Sequence, residues 1–156
     1  MLSFLKKLCL ITFISILYHS AALTQTNVTN ELGKNSVYLG AGLLPGIHTL
    51  INYERRIKLG KEFTWYGRTG IGMGGLIFNE VGPGGLGALT LLANNKKNLH
   101  FELSIGAFAG KGDTSNKLFI YPLADVGYRY QKPDGGFLFR FKFGILGIGV
   151  DLGYAF

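Results

Sequence analysis

The run GFLFRFKFGILGIGVDLGYAF, residues 136–156, decides the fold. Phe137, Phe139, Phe141, Phe143 and Ile145 fall on one parity, with Leu138, Arg140, Lys142 and Gly144 on the other. Successive side chains of a β-strand point to opposite faces, so this pattern predicts a strand with one aromatic face. In the next segment Ile148, Val150, Leu152, Tyr154 and Phe156 form an apolar face opposed by Gly149, Asp151, Gly153 and Ala155. The apolar parity switches from odd to even across Leu146-Gly147, as a two-residue hairpin turn requires. That turn pairs Ile145 with Ile148, Phe143 with Val150, Phe141 with Leu152, and Lys142 with Asp151. Lys142 and Asp151 are then expected within side-chain reach.

Upstream, the same rhythm predicts strands at 36–44, 47–57, 62–72, 85–93, 99–109 and 118–130 ahead of 136–145 and 148–156, with no stretch of helical periodicity. Eight antiparallel strands joined in sequence predict an all-β, up-and-down barrel over residues 36–156. Connections after even-numbered strands are short and mostly basic, carrying Lys58, Lys61, Lys96, Lys97 and Lys132, and suit contact with anionic headgroups or plain solvation. Those after strands three and five, 73–84 and 110–117, are longer, and Gly82-Pro83-Gly84-Gly85 reads as a turn. The chain holds 24 glycines in 156 residues, about twice the usual share, many at alternate positions inside apolar runs, as at Gly40 and Gly42 or Gly70 and Gly72. A sheet face crowded by other side chains uses glycine in this way.

The first 22 residues read as a secretory signal peptide: Lys6 and Lys7, an apolar run from Leu8 to Tyr18, and the small residues Ser20-Ala21-Ala22. The apolar run is well short of the roughly 20 residues a spanning helix needs. Residues 23–35 then form a short polar periplasmic lead. Cys9, the only cysteine, lies inside the signal, which leaves the mature chain without a thiol, a disulfide or a cysteine metal ligand. Export and the absence of any nucleic-acid-binding pattern argue that the net charge of +7 does not serve nucleic acid.

Alternation alone does not say which face points inward, because a soluble barrel buries its apolar face and an outer-membrane barrel exposes it to lipid. The less apolar face here is mostly glycine with scattered charges, unlike a surface built for water, and fits the narrow interior of an eight-stranded barrel. Tyr53, Trp65, Tyr128, Tyr130, Tyr154 and Phe156 lie near predicted strand ends, where membrane interfaces accommodate aromatic rings. The expected location is the outer membrane of a Gram-negative bacterium. The ending GVDLGYAF, with Val150, Leu152, Tyr154 and the terminal Phe156 at alternate positions, resembles the C-terminal signature of outer-membrane β-barrel proteins. That resemblance implies recognition of these four residues by the barrel-assembly machinery. LINYERRI at 50–57 and GYRYQKPDGGFLFRFKFG at 127–144 resemble small barrels of the Bacteroidetes outer membrane.

Extending the inward parity gives a polar set in the lumen: Glu54, Arg56, Arg68, Glu102, Asp125, Arg129, Arg140, Lys142 and Asp151, with His48, Asn52, Tyr66, His100 and Ser104 beside them. Opposite charges recurring on the face away from lipid predict an ion-paired plug more than a pore. The leading expectation is therefore a non-enzymatic, monomeric outer-membrane barrel, in contact with outer-membrane lipid and serving a structural, envelope-maintenance or small-ligand role. A lipid hydrolase or acyltransferase, which would bring a serine and a histidine together, and a narrow passive channel are the alternatives. No cofactor is expected: His48 and His100 lack a ligand spacing, and Gly72, Gly74 and Gly75 are not followed by the GK[ST] of a phosphate loop.

Overall fold

Alternate residues of each strand turn to opposite sides of a wall that closes on itself. The computed structural model describes residues 32–60, 62–93 and 98–156. The predicted signal peptide, most of the lead, and Lys61, Lys96 and Lys97 lie outside the described residues. The strands are β1 (Asn35–Leu43), β2 (Gly46–Leu59), β3 (Phe63–Leu76), β4 (Val81–Ala93), β5 (Leu99–Lys111), β6 (Leu118–Gln131), β7 (Gly136–Gly144) and β8 (Gly147–Ala155). They pair in sequence order as an antiparallel closed barrel, and the β1–β8 seam runs from Ser36↔Ala155 to Leu43↔Ile148. Asn35 and Phe156 extend it by exchanging backbone hydrogen bonds of 2.7 and 2.8 Å. Every β-strand therefore has a neighbour on both sides, and the start of β1 and Phe156 share one end of the barrel, the terminal end.

The outward side chains of the last hairpin are apolar: Phe137, Phe139, Phe141 and Phe143 on β7, then Ile148, Val150, Leu152 and Tyr154 on β8, all exposed. Leu138, Arg140, Lys142 and Asp151 are buried between them and the opposite wall. Parity is thus as expected, but the register is displaced by two residues. Gly144 faces Gly147 across an Ile145-Leu146 turn, Phe143 faces Ile148, Phe141 faces Val150, and Phe139 faces Leu152. Arg140, not Lys142, stands directly opposite Asp151, while Lys142 faces Gly149 and reaches Asp151 diagonally at 3.2 Å. The turn falls one residue earlier because Leu146 folds into the barrel mouth, 2% exposed, and Gly147 takes φ 108°, a left-handed conformation that suits glycine. A slip of two leaves every side chain on the same face, so alternation cannot distinguish the two registers.

Two turns are tighter than their sequences suggest. β3 runs on to Leu76 and β4 begins at Val81, so the connection shrinks to Ile77–Glu80. Gly82-Pro83-Gly84-Gly85, read as a turn, is instead the start of β4, paired with Gly74, Met73, Gly72 and Ile71. Glycine is required there by close packing, not by a bend: a Cβ on Gly84 would strike Gly110 and the Phe108 ring. β5 likewise extends to Lys111 and shortens its connection to β6.

β6 pairs with β7 only from Asp125 to Gln131, so Leu118–Ala124 has β5 on one side and a free edge on the other. Ile145 N–H donates to the Ala124 carbonyl, which places the even-numbered β6 residues toward β7. Pro122 therefore meets the free edge, where its missing N–H costs no ladder bond and blunts the edge against further pairing.

The interior is layered. Toward the end formed by the hairpin turns, Leu50, Leu86, Phe108, Tyr121, Leu123 and Leu146 pack into one apolar cluster, with Phe119 against it. Sequence parity predicts a polar lumen and leaves this cluster out. At the opposite end Leu32 packs with Tyr66 and Leu92, while Tyr38, Leu138 and Ala155 form a second small cluster. The last residues before β1, assigned to the lead, thus enter the barrel: Leu32 is 2% exposed, and its carbonyl accepts from Arg56 Nη1 at 2.7 Å. Tyr66 hydroxyl donates to the Gly33 carbonyl at 2.8 Å, fixing the same segment.

Candidate functional site: the buried charge layer

Between the two apolar ends lies a layer of charge. Glu54 comes from β2, Arg68 from β3, Glu102 from β5, Asp125 and Arg129 from β6, Arg140 and Lys142 from β7, and Asp151 from β8; all are buried. Among the described residues these four carboxylates meet four cations, so the layer is formally neutral. β1 and β4 contribute neutral groups, Ser36, Tyr38 and Thr90. Glycine makes room for the layer: the Asp151 carboxylate occupies the space that a Cβ on Gly40 would need.

Two residues organise it. Arg140 pairs with Glu102, with Asp151 at 3.1 Å and with Glu54 at 3.6 Å, so one guanidinium ties β7 to β5, β8 and β2. Glu54 also accepts from Arg129 and from the Tyr38 hydroxyl at 2.6 Å, with Thr90 at 3.4 Å. Arg129 further approaches Glu102 at 3.8 Å and donates to Ser36 Oγ at 3.2 Å. Arg68 approaches Asp125 at 3.5 Å and donates from Nε to Asn52 Oδ1 at 3.1 Å. The rings of Tyr38 and Tyr66 cover the guanidinium carbons: Arg140 lies 4.6 Å from the Tyr38 centroid and Arg129 lies 5.3 Å from that of Tyr66. Stacking of this kind suits arginine, whose planar cation is weakly hydrated.

Arg56 stands apart from the other eight residues of the predicted set. It is half-buried at the terminal end of β2 and holds the Leu32 carbonyl. Tyr38, Ser36 and Thr90 lie outside the predicted set, yet they share its inward parity and join the layer through their hydroxyls. Their signal is the position of each hydroxyl on the inward parity facing a polar or charged residue across the sheet: Ser36 faces Glu54, Tyr38 lies diagonal to it, and Thr90 faces Ser104.

The serine and histidines do not assemble into a nucleophile. Ser104 Oγ lies 2.9 Å from Thr90 Oγ1 and donates to Glu102 at 3.3 Å. His48 Nδ1 donates to the Leu146 carbonyl at 3.0 Å near the hairpin end, whereas His100 Nε2 donates to the Gln131 carbonyl at 3.0 Å near the terminal end. Neither ring meets Ser104. Among the described residues no group of three or more His, Cys, Asp or Glu side chains could hold a metal ion.

The arrangement can hold strands together and exclude water. Charges removed from water are costly unless paired, but removing one partner of an existing pair strands the other in a dry interior. Each cross-barrel bridge therefore ties its strands to one alignment. Comparison with protein-family models, curated proteins and solved structures yields no match.

Proposed function

We propose that the chain is an integral outer-membrane barrel whose sealed, ion-paired interior serves a structural role in the envelope. One observation carries the reading: the wall turns large apolar side chains outward and a neutral charge layer inward. Val37, Leu39 and Ile51 continue the exposed surface of β7 and β8 round β1 and β2, and Leu103, Ile105, Ile120 and Val126 continue it on β5 and β6. An exposed apolar surface of this extent is unfavourable in water and favourable against lipid. Closure suits that setting, because lipid offers no partners to a broken backbone ladder.

Aromatic side chains gather at the terminal end, where Tyr53, Trp65, Tyr128, Tyr154 and Phe156 are all exposed. This distribution is that of an interfacial girdle, and an even number of strands with β1 starting and β8 ending on one side supports a periplasmic position for that end. Buried apolar clusters lie toward both ends and paired charges occupy the middle, which favours a structural element over a passive channel. Lipid hydrolysis would need a serine activated by a histidine, and the contacts of Ser104, His48 and His100 do not supply one. Val150, Leu152, Tyr154 and Phe156 remain the proposed recognition strip for the assembly machinery, and three of them also complete the β1–β8 seam.

Reconstitution tests the reading. The mature chain refolded into phospholipid vesicles is expected to float with them, to resist protease and to leave an entrapped ion gradient intact. A chain that folds and stays monomeric in buffer without lipid or detergent would overturn the membrane assignment. Rapid loss of the gradient would overturn the sealed interior.

A further inference from the structure

The outward faces of the strands carry very few charges, and their distribution is uneven. Among the described strand residues, the charged side chains on the exterior are Arg55 and Lys58 near the terminal end of β2 and Lys111 at the far end of β5. All three are cations. Arg55 and Lys58 are the two that share a neighbourhood, and strict alternation would forbid it: positions of opposite parity belong on opposite faces of a strand.

An irregularity in the ladder brings them together. The β2–β3 register runs Arg55↔Gly67 and Arg56↔Tyr66, then resumes at Lys58↔Trp65, with Ile57 as the extra residue of a β-bulge. Trp65 and Gly67 belong to the outward face of β3, so their partners Lys58 and Arg55 face outward as well. A bulge re-aims a side chain in this way. The partners sit two residues apart on β3, which places the cations roughly 7 Å apart along the strand at a rise of about 3.4 Å per residue. One phosphate group can be gripped from both sides across such a gap.

The surroundings complete a receptor for a headgroup. Trp65 and Tyr53, each 40% exposed, flank the cations on the same face, and Ile57 folds over Gly67 between them. Tyr53 is held by its hydroxyl, which donates to Asn35 Oδ1 at 2.8 Å. The sheet neighbours of the pair on this face are Asn35, Gly67 and Trp65, none of them acidic, and neither cation is ion-paired with a described residue. Glu54 and Arg56 of the same strand do not compete, because Glu54 is buried within the charge layer and Arg56 holds the Leu32 carbonyl.

We infer that Arg55 and Lys58, set side by side by the β2 bulge and flanked by Trp65 and Tyr53, bind the phosphate of an anionic phospholipid in the periplasmic leaflet. The inference rests on the membrane reading above. Arginine supplies a planar fork matched to phosphate oxygens and lysine a point charge, while the two aromatic rings pack on the upper acyl chain. Each basic residue near an anionic bilayer surface strengthens the attraction to that surface about fivefold. Two of them on one headgroup make a preference that exceeds what bulk lipid composition provides.

Trp65 is the only tryptophan in the chain, so it reports directly on the lipid beside it. The mature protein is reconstituted into phosphatidylcholine vesicles holding a minor fraction of brominated phosphatidylglycerol or, separately, the same fraction of brominated phosphatidylcholine. Brominated chains quench tryptophan on contact. Quenching of Trp65 by the anionic lipid is expected to exceed that by the zwitterionic lipid several-fold, and Arg55→Gln with Lys58→Gln is expected to equalise the two. Lys132→Gln, in the β6–β7 turn, is expected to leave the preference intact. Equal quenching by both lipids in the unaltered protein would overturn the site while leaving the membrane reading in place, and so would a loss of preference in Lys132→Gln as large as in Lys58→Gln. Absence of quenching by either lipid would instead overturn the membrane reading on which the site rests.

Discussion

The middle and the hairpin end of the interior are filled by different chemistry, and they should fail differently. In the middle, Arg140 alone meets carboxylates from three strands, and every group depends on a named partner in a fixed place. At the hairpin end Leu50, Leu86, Phe108, Tyr121, Leu123 and Leu146 fill their space by shape, with ring contacts such as Phe119 to Tyr121 at 5.0 Å. Apolar packing is non-directional and accepts substitutes of similar volume, whereas a buried ion pair does not accept the loss of a charge. The comparison teaches that shape can close a barrel, but directional charge pairs can also specify which strand alignment is closed.

The sharpest way to break this comparison is Glu54→Gln. The change preserves volume yet removes the charge that Arg129 and Arg140 share at Glu54, leaving Glu102 as their one common carboxylate among the described residues, and a loss of about 3–5 kcal/mol is expected in urea unfolding from detergent micelles. An unfolding midpoint equal to that of the unaltered protein would remove the distinction between the two layers. Next in size is Leu86→Ala, which opens a cavity in the apolar cluster and is expected to cost about 3 kcal/mol in the same assay. Leu86→Met keeps the volume and sharpens the contrast: its cost should stay below about 1.5 kcal/mol, in opposition to the equally conservative change at Glu54. The smallest effect belongs to Asp113→Ala in the exposed β5–β6 connection. Folded yield for that variant should match the unaltered chain, and similar losses for Asp113→Ala and Asp125→Ala would argue that burial of charge is not what matters.

Strand parity was the legible part of the sequence, because a two-residue period survives any local irregularity that does not add a residue. Phe137, Phe139, Phe141 and Phe143 could be assigned to one face, and Arg140 and Lys142 to the other, without knowing what they touch. Register was not legible in the same way. Slipping β8 by two against β7 conserves every face, and the choice was made by Leu146 turning into the mouth, a tertiary contact with no local signature. The apolar cluster escaped for a related reason: toward the hairpin end of β4 and β5 both faces are apolar, so Leu86 and Phe108 look like outward residues, although farther along β5 the inward face carries His100, Glu102 and Ser104. Pro83 with its glycines carries the local chemistry of a turn, and packing against Phe108 and Gly110 overrode it. The bulge at Ile57 is the one place where an added residue broke the period itself, so reading onward from Arg55 by alternation would have sent Lys58 to the wrong side.

The seam between β1 and β8 has a consequence for the order of events during folding. Each of the other ladders joins neighbours along the chain and can form as a local hairpin, but Ser36 must find Ala155 with the whole remaining wall between them. Contacts of such long sequence separation carry the largest loop-closure cost and reward the chain only after shorter loops have been fixed. β1 is thus kept waiting for β8. Until Asn35 and Phe156 exchange their two hydrogen bonds, the growing sheet has two raw edges at which another chain could add itself. Closure of this seam is therefore also the moment at which those two edges are withdrawn from pairing with another chain.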